Sequence, residues 1–253
     1  MKNRFLFVLI GCVLLSCSTE QVTPAISLEI VVTHSWGNTS FGEQDFGSID
    51  FENAAGEILR LNRLRYILSN IQLVLSDGST VPIKGYQLID LNQEESLRIE
   101  LQTFVSKESI TEMAFVFGFD ETFNQDGSYP DLNVANWNVP ARLGGGYHFM
   151  QLDGIFINTQ NEREPFNFHA IRAVKNAQTA EMEFKDTSFE MRFPVSASTD
   201  RIQININMDV AEWFVNPHRW ELNKKATDLM ADYEAQLQIA ANGKFVFSQR
   251  AIP

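Results

Sequence analysis

The chain has 253 residues, of which 44% are hydrophobic and 11% aromatic, with 20 Phe against 4 Trp and 5 Tyr. That is material for a sizeable core and excludes global disorder. Twenty basic against 32 acidic residues leave a net charge of −12, so the basic surface of a nucleic-acid binder is absent, and two cysteines cannot build a disulfide framework or a cysteine zinc site.

Residues 1–16 read MKNRFLFVLIGCVLLS: Lys2 and Arg4, an apolar run, then small residues before Cys17. The pattern predicts a signal peptide, too short to be a stable membrane span. Leu15-Ser16-Cys17 resembles a bacterial lipobox, which makes Cys17 the lipidated first residue of the mature chain and places the protein at the outer membrane, on its periplasmic or surface face. Loss of Lys2 and Arg4 takes the charge from −12 to −14. Cys12 leaves with the leader and Cys17 carries lipid, so no thiol remains for nucleophilic or thiolate chemistry. Residues 17–25 form the lipidated cysteine and a polar tether, and residues 26–253 a single β domain.

Within that domain short period-two segments recur between Gly, Asp, Asn and Pro. Ile26, Leu28, Ile30 and Val32 share one face of the first strand, and Ile202, Ile204, Ile206, Met208 and Val210 one face of a late strand. Further strands are predicted at 58–75 (interrupted), 81–90, 97–104, 111–119, 146–157, 166–174, 180–195 and 244–249. Ala226, Leu229, Met230, Tyr233 and Leu237 carry the helical period, with Gly243 as C-cap. Many short strands with one late helix predict a mainly β fold, an antiparallel β-sandwich or open barrel with one C-terminal helix.

Enzyme signatures are missing: no nucleophile elbow, no His-Glu-x-x-His, no dinucleotide fingerprint, and no Lys-Ser/Thr after the run Gly144-Gly145-Gly146. The reading is a binding protein and not an enzyme. His34 and then Trp36 continue the apolar face of the first strand, so an imidazole and an indole project together where that face ends, either as metal-binding groups or as a hydrogen-bonded His beside a packing Trp. His169 alternates with Phe166 and Phe168, and His148 sits in GGGYHFMQLDG. His218 belongs to a solvated loop. Asp120, Asn124 and Asp126 before Gly127 could wrap a calcium ion or form an ordinary Asx-rich turn. Trp213 and Trp220 flank a Pro-His loop and are either an exposed aromatic platform for a protein or glycan partner, or anchors that pin the loop to the core.

FENAAGEILRLNRLRYILSNIQLVLSDG (51–78), YQLIDL (86–91), FVFGFDETFN (115–124), GGGYHFMQLDG (144–154) and FNFHA (166–170) follow the order and spacing of the MbnP-like proteins. The chain thus resembles that family of methanobactin-associated copper-binding proteins, many of them lipoproteins of Bacteroidetes-type bacteria. The resemblance implies copper held by histidines together with a tryptophan oxidised to kynurenine by a di-haem peroxidase-like partner of the MbnH type. Carried onto this sequence, it implies His169 and His34 as ligands with His148 joining them, Trp36 as the modified tryptophan and Trp137 as its alternative. His34-x-Trp36 resembles a His-x-Trp pair of one methanotroph copper protein. Trp137 stands where the family has Trp-x-Trp, with Val139 in place of the second Trp, and His148 where copper-binding members often carry Lys.

Overall fold

The computed structural model describes residues 25–195 and 199–250. The signal peptide over 1–16, lipidated Cys17, and residues 18–24 of the tether lie outside the described residues. Fourteen strands occur within them, in chain order β1 (Ile26–Trp36), β2 (Thr39–Ser40), β3 (Phe51–Glu52), β4 (Ile58–Leu75), β5 (Thr80–Asp90), β6 (Arg98–Thr103) and β7 (Ile110–Phe117), then β8 (Met150–Ile157), β9 (Arg163–Ala170), β10 (Ala173–Lys175), β11 (Glu183–Lys185), β12 (Phe189–Pro194), β13 (Arg201–Asp209) and β14 (Phe247–Arg250). A short helix α1 (Pro130–Val134) lies between β7 and β8, and α2 (Tyr233–Gly243) precedes β14.

Two sheets face each other, as the mainly β reading requires. One runs β14-β13-β1-β2 with β6 also on β1, and the other β12-β7-β4-β8-β9 with β3 and β5 on β4. Pairing is antiparallel except between β1 and β13, where Ser27↔Arg201 through Ser35↔Asp209 run parallel. The core fills the space between the sheets. Ile26, Leu28, Ile30 and Val32 of β1 meet it beside Ile202, Ile204 and Ile206 of β13, all nearly inaccessible. From the other sheet, the rings of Tyr66, Phe115 and Phe117 pack on Phe247 of β14 at 5.2–6.1 Å. Offset and edge-on aromatic pairs of this kind add to the burial of their area.

β4 is the spine of the second sheet. Its predicted interruption is a bulge: the register with β5 and β7 slips between Ser69 and Gln72, and Asn70 takes a left-handed φ of 48° there. Asn tolerates that conformation through its short polar side chain. The strand therefore continues for 18 residues and pairs with β8 through its first half and β7 through its second. The predicted strands 166–174 and 180–195 each divide in two, because β10 and β11 leave the large sheet and pair with each other.

The late helix begins later than its periodicity suggests. Residues 229–231 form a 3-10 turn after Asp228, which is left-handed at φ 60°, and Asp232 then caps α2 by accepting from the Ala235 N–H. Gly243 closes α2 from within and is not its cap. A Cβ there would stand 2.5 Å from the Phe189 ring and 2.8 Å from that of Trp213, so the glycine serves close packing.

Trp213 and Trp220 are buried, at 0% and 3% exposure, and Trp220 lies edge-on to Phe168 at 4.9 Å. They are core anchors; the exposed platform is corrected. Glu57 secures the same region. Its buried carboxylate accepts from the backbone N–H groups of Leu222 and Asn223 and from the side-chain amides of Asn53 and Asn223, at 2.7–2.8 Å. Burial pushes its pKa up, but these donors outweigh it and hold the group ionised below the usual carboxylate range. Glu57→Ala leaves these donors without partners and is expected to cost roughly 2–4 kcal/mol, measured as a lower urea midpoint at pH 7.

Candidate metal centre

Strand alternation divides the large sheet into two chemical faces. On β4, Leu64 and Tyr66 point into the core while Arg63 and Arg65 point away; on β8, Met150 and Leu152 point in while Gln151 and Asp153 point out; on β9, Phe166 and Phe168 point in while Asn167 and His169 point out. The outward residues meet across the strands. Asp153 accepts from Arg63 Nε at 2.6 Å, Asn167 Nδ2 at 2.6 Å and His169 Nε2 at 2.8 Å, and Arg65 Nε donates to Gln151 Oε1 at 2.8 Å. Burial opposes ionisation of Asp153, but His169, Asn167 and Arg63 overcome it and bring its pKa down to about 2.

Two segments cover this face. Asn138 and Tyr147 form an isolated antiparallel bridge, which sets Trp137 beside His148. The Trp137 carbonyl accepts from the His148 backbone N–H at 3.0 Å and lies 2.9 Å from Nδ1 of the same residue. Trp137 is fully buried with its ring 5.8 Å from the imidazole, and the Arg65 guanidinium lies 4.8 Å from the indole centroid. His148 and His169 are neighbours, with ring centroids 5.4 Å apart and planes at 85°. From the second segment, Met230 brings its sulfur to 3.1 Å from His148 Nε2. Gln236 of α2 ties the parts together, donating to the carbonyls of His169 and Leu229 and accepting from the Ile171 N–H.

These contacts decide the tautomers. A carbonyl oxygen only accepts, so Nδ1 of His148 carries its proton and Nε2 presents a lone pair; a carboxylate only accepts, so Nε2 of His169 donates to Asp153. Burial, reinforced by His169 and Arg65, pushes the His148 pKa down to about 4 against the pull of the Trp137 carbonyl, so the ring is neutral at pH 7.

The structure brings together His148, His169 and Trp137, and leaves His34 and Trp36 elsewhere. His34 continues the inward face of β1, is 3% exposed, and hydrogen-bonds the Tyr66 hydroxyl at 2.9 Å. Tyr66 lies on the core side of β4 and His169 on the outer side of β9, so the sheet separates the two imidazoles; their joint site is corrected. Trp36 stacks on Phe51 at 4.9 Å and donates its indole N–H to the Glu52 carbonyl, a packing role. His218 is exposed in its loop.

The predicted calcium loop is a clasp. Asp120 Oδ1 accepts from the N–H groups of Thr122 and Phe123, Asn124 Oδ1 from Tyr147, and Asp126 Oδ1 from Gly146. Gly146 takes φ 83°, and a Cβ there would fall 2.6 Å from Asn124 Oδ1, which accounts for glycine at that step of the run. One side-chain oxygen of each of the three residues thus answers backbone amides.

The sequence reading gave Arg63, Arg65, Asp153 and Met230 no role at the site. Arg63-x-Arg65 and Gln151-x-Asp153 are each period-two pairs and could have been found as the polar face of adjacent strands; Met230 carried no signal beyond the helical period. Among the described residues no three His, Cys, Asp or Glu side chains converge as a metal cage. Two imidazoles nonetheless stand side by side, those of His148 and His169. Metal–nitrogen bonds of about 2 Å place two ligating imidazole centroids roughly 5–6 Å apart, which the histidine pair matches. The Trp137 indole N–H is buried without a hydrogen-bond partner. Trp213 shares that property in the core, but Trp137 alone of the two adjoins imidazoles.

A family model for MbnP matches residues 25–231. The structure of MbnP from Methylosinus trichosporium is similar in fold, with a TM-score of 0.54 over 76% of this chain and 78% of that one at 12% identity. No curated protein matches the sequence.

The core-side histidine predicts a pH dependence. Burial pushes the His34 pKa from 6.5 down to about 3, so the unfolded chain takes up the proton first as pH falls. The stability tied to neutral His34 is complete above pH 6.5 and is lost progressively toward pH 3. The urea midpoint should fall across that window, with a shallower fall in His34→Gln; an equal slope in the variant contradicts the assignment.

Proposed function

Because this chain belongs to the MbnP family, we propose that it is a copper-binding protein whose metal is held by His148 and His169, with Trp137 as the residue oxidised to kynurenine. The supporting observation is the paired commitment of the two imidazoles: each gives one nitrogen to an oxygen acceptor and turns the other away from it. Metal-ligating histidines characteristically donate their second nitrogen to a carboxylate or a backbone carbonyl, and Asp153 and Trp137 supply one of each.

An imidazole pair suits copper, whose affinity for nitrogen is high. Intact indole offers a donor N–H and no lone pair in the ring plane. Kynurenine carries an aniline-type amine in its place, and at Trp137 that amine would arise beside His148, where the indole nitrogen now has no partner. Arg65 lies over the ring and Arg63 pairs with Asp153. In this reading the protein is lipid-anchored through Cys17 at the outer membrane, is modified by a di-haem peroxidase-like partner, and catalyses no reaction itself.

Protein purified from its native membranes should contain copper, while the His148→Ala/His169→Ala double variant should lack it and His34→Ala should keep it. Unchanged copper in the double variant overturns the reading. Intact mass and peptide mapping of the same material should place the loss of one carbon and gain of one oxygen at Trp137. Asp153→Asn, which weakens the orientation of His169, should lower copper affinity by about 10–100-fold, read by competition with a chelator.

A further inference from the structure

The smaller sheet carries a concavity of its own, remote from the face built on Asp153. Directly paired residues of neighbouring strands point to one side. The register therefore sets Arg98 of β6, Val31 of β1, Asn205 of β13 and Arg250 of β14 in one row. Val31 alternates with the core residues Ile30 and Val32, so the row lies on the outer face. β1 is also incompletely paired. β6 accompanies it only as far as Val31, and β2 joins it at Ser35. Among the described residues Val32 and Thr33 thus have β13 on one side and no strand on the other.

A cavity of about 540 Å³ opens at this break, within the span of about 300–1,000 Å³ typical of small-molecule sites. Its two ends differ in chemistry. Phe41, Leu91 and Leu97 make one apolar. At the other, polar groups of the protein are left in want of partners. Asn205 is only 8% exposed; its Oδ1 accepts from Gln203 Nε2 at 3.2 Å, while its Nδ2 has no hydrogen-bond partner among the described residues. Arg250 donates from Nη2 to Ser35 Oγ at 3.0 Å and reaches Ser40 Oγ with Nη1 at 3.5 Å, so among the described residues its charge meets hydroxyls and no carboxylate. Arg98, by contrast, is neutralised by Glu29 at 2.6 Å. Glu43, the carboxylate of the rim, is solvent-exposed. A guanidinium offers five donors in a planar fork that matches a carboxylate, and hydroxyl acceptors leave its charge uncompensated.

We infer that this cavity binds a small amphipathic organic anion, with its carboxylate on Arg250 and the Asn205 amide and its apolar body between Phe41, Leu91 and Leu97. Both ends are needed to define the ligand. A bare inorganic anion leaves the apolar end in water, and a neutral apolar molecule leaves the guanidinium and the recessed amide without an acceptor.

The test is titration calorimetry at pH 7 on the full chain, with 4-phenylbutanoate as ligand and acetate and 4-phenylbutanol as its two halves. We expect saturable binding of 4-phenylbutanoate with Kd below about 1 mM, and binding of acetate and of the alcohol weaker by about tenfold or more. Arg250→Gln should weaken 4-phenylbutanoate by about 10–100-fold, the range for a hydrogen bond to a charged group, and leave the alcohol unchanged. Val31→Phe, which sets a ring on the outer floor, should abolish binding of both. Arg250 is exposed and Val31 half-buried, so both variants should keep the thermal midpoint of the parent. Absence of saturable 4-phenylbutanoate binding overturns the inference, as does equal affinity for acetate (a bare anion site), equal affinity for the alcohol (an apolar cleft), or unchanged 4-phenylbutanoate affinity in Arg250→Gln.

Discussion

The carboxylate of Asp153 is the contact on which the outer face of the large sheet depends. It is buried, and a buried charge is tolerated where its lone pairs are answered. Arg63 on β4 and Asn167 and His169 on β9 answer them, so one side chain of β8 links three adjacent strands above their backbone ladder. The same contact fixes the proton on one nitrogen of His169. Structural cohesion and the chemical state of a candidate ligand come from a single ionised group, and any change that neutralises it disturbs both.

The sheet keeps this face apart from the core through strand alternation alone. Leu64 and Tyr66 are interleaved with Arg63 and Arg65, and Phe166 and Phe168 with Asn167 and His169, so a core wall and a polar wall share the same backbone. His34, on β1 of the facing sheet, meets the first wall at Tyr66 and is held neutral by burial. His169 belongs to the second. Membership of the MbnP family and a shared fold with the Methylosinus trichosporium protein agree with this architecture.

Period-two patterning made the β class readable, together with the inward faces of β1 and β13 and the opposition of Phe168 and His169. It could not reveal which side of a strand faces a second sheet, and that is where His34 and Trp36 misled: an imidazole at the end of an apolar face reads equally as a ligand or as a core group. The late helix was legible as a helix but not in its start, because Asp228 and the cap at Asp232 reset the chain where the apolar period ran on. The pairing of Trp137 with His148 depends on an isolated bridge between irregular segments, and the approach of Met230 depends on tertiary contacts through Trp220, Asn167 and Gln236. None of these leaves a periodic trace. The resemblance directed attention to His169 but set Trp137 second to Trp36, and only the fold places the Trp137 ring beside His148.

The anchor of His148 is a main-chain carbonyl, and it belongs to the very residue whose side chain lies against the imidazole. Chemistry that opens the indole of Trp137 would alter the ring and leave the peptide oxygen in place. The bearing of His148 is therefore set by the folded backbone and does not depend on the state of the aromatic side chain beside it.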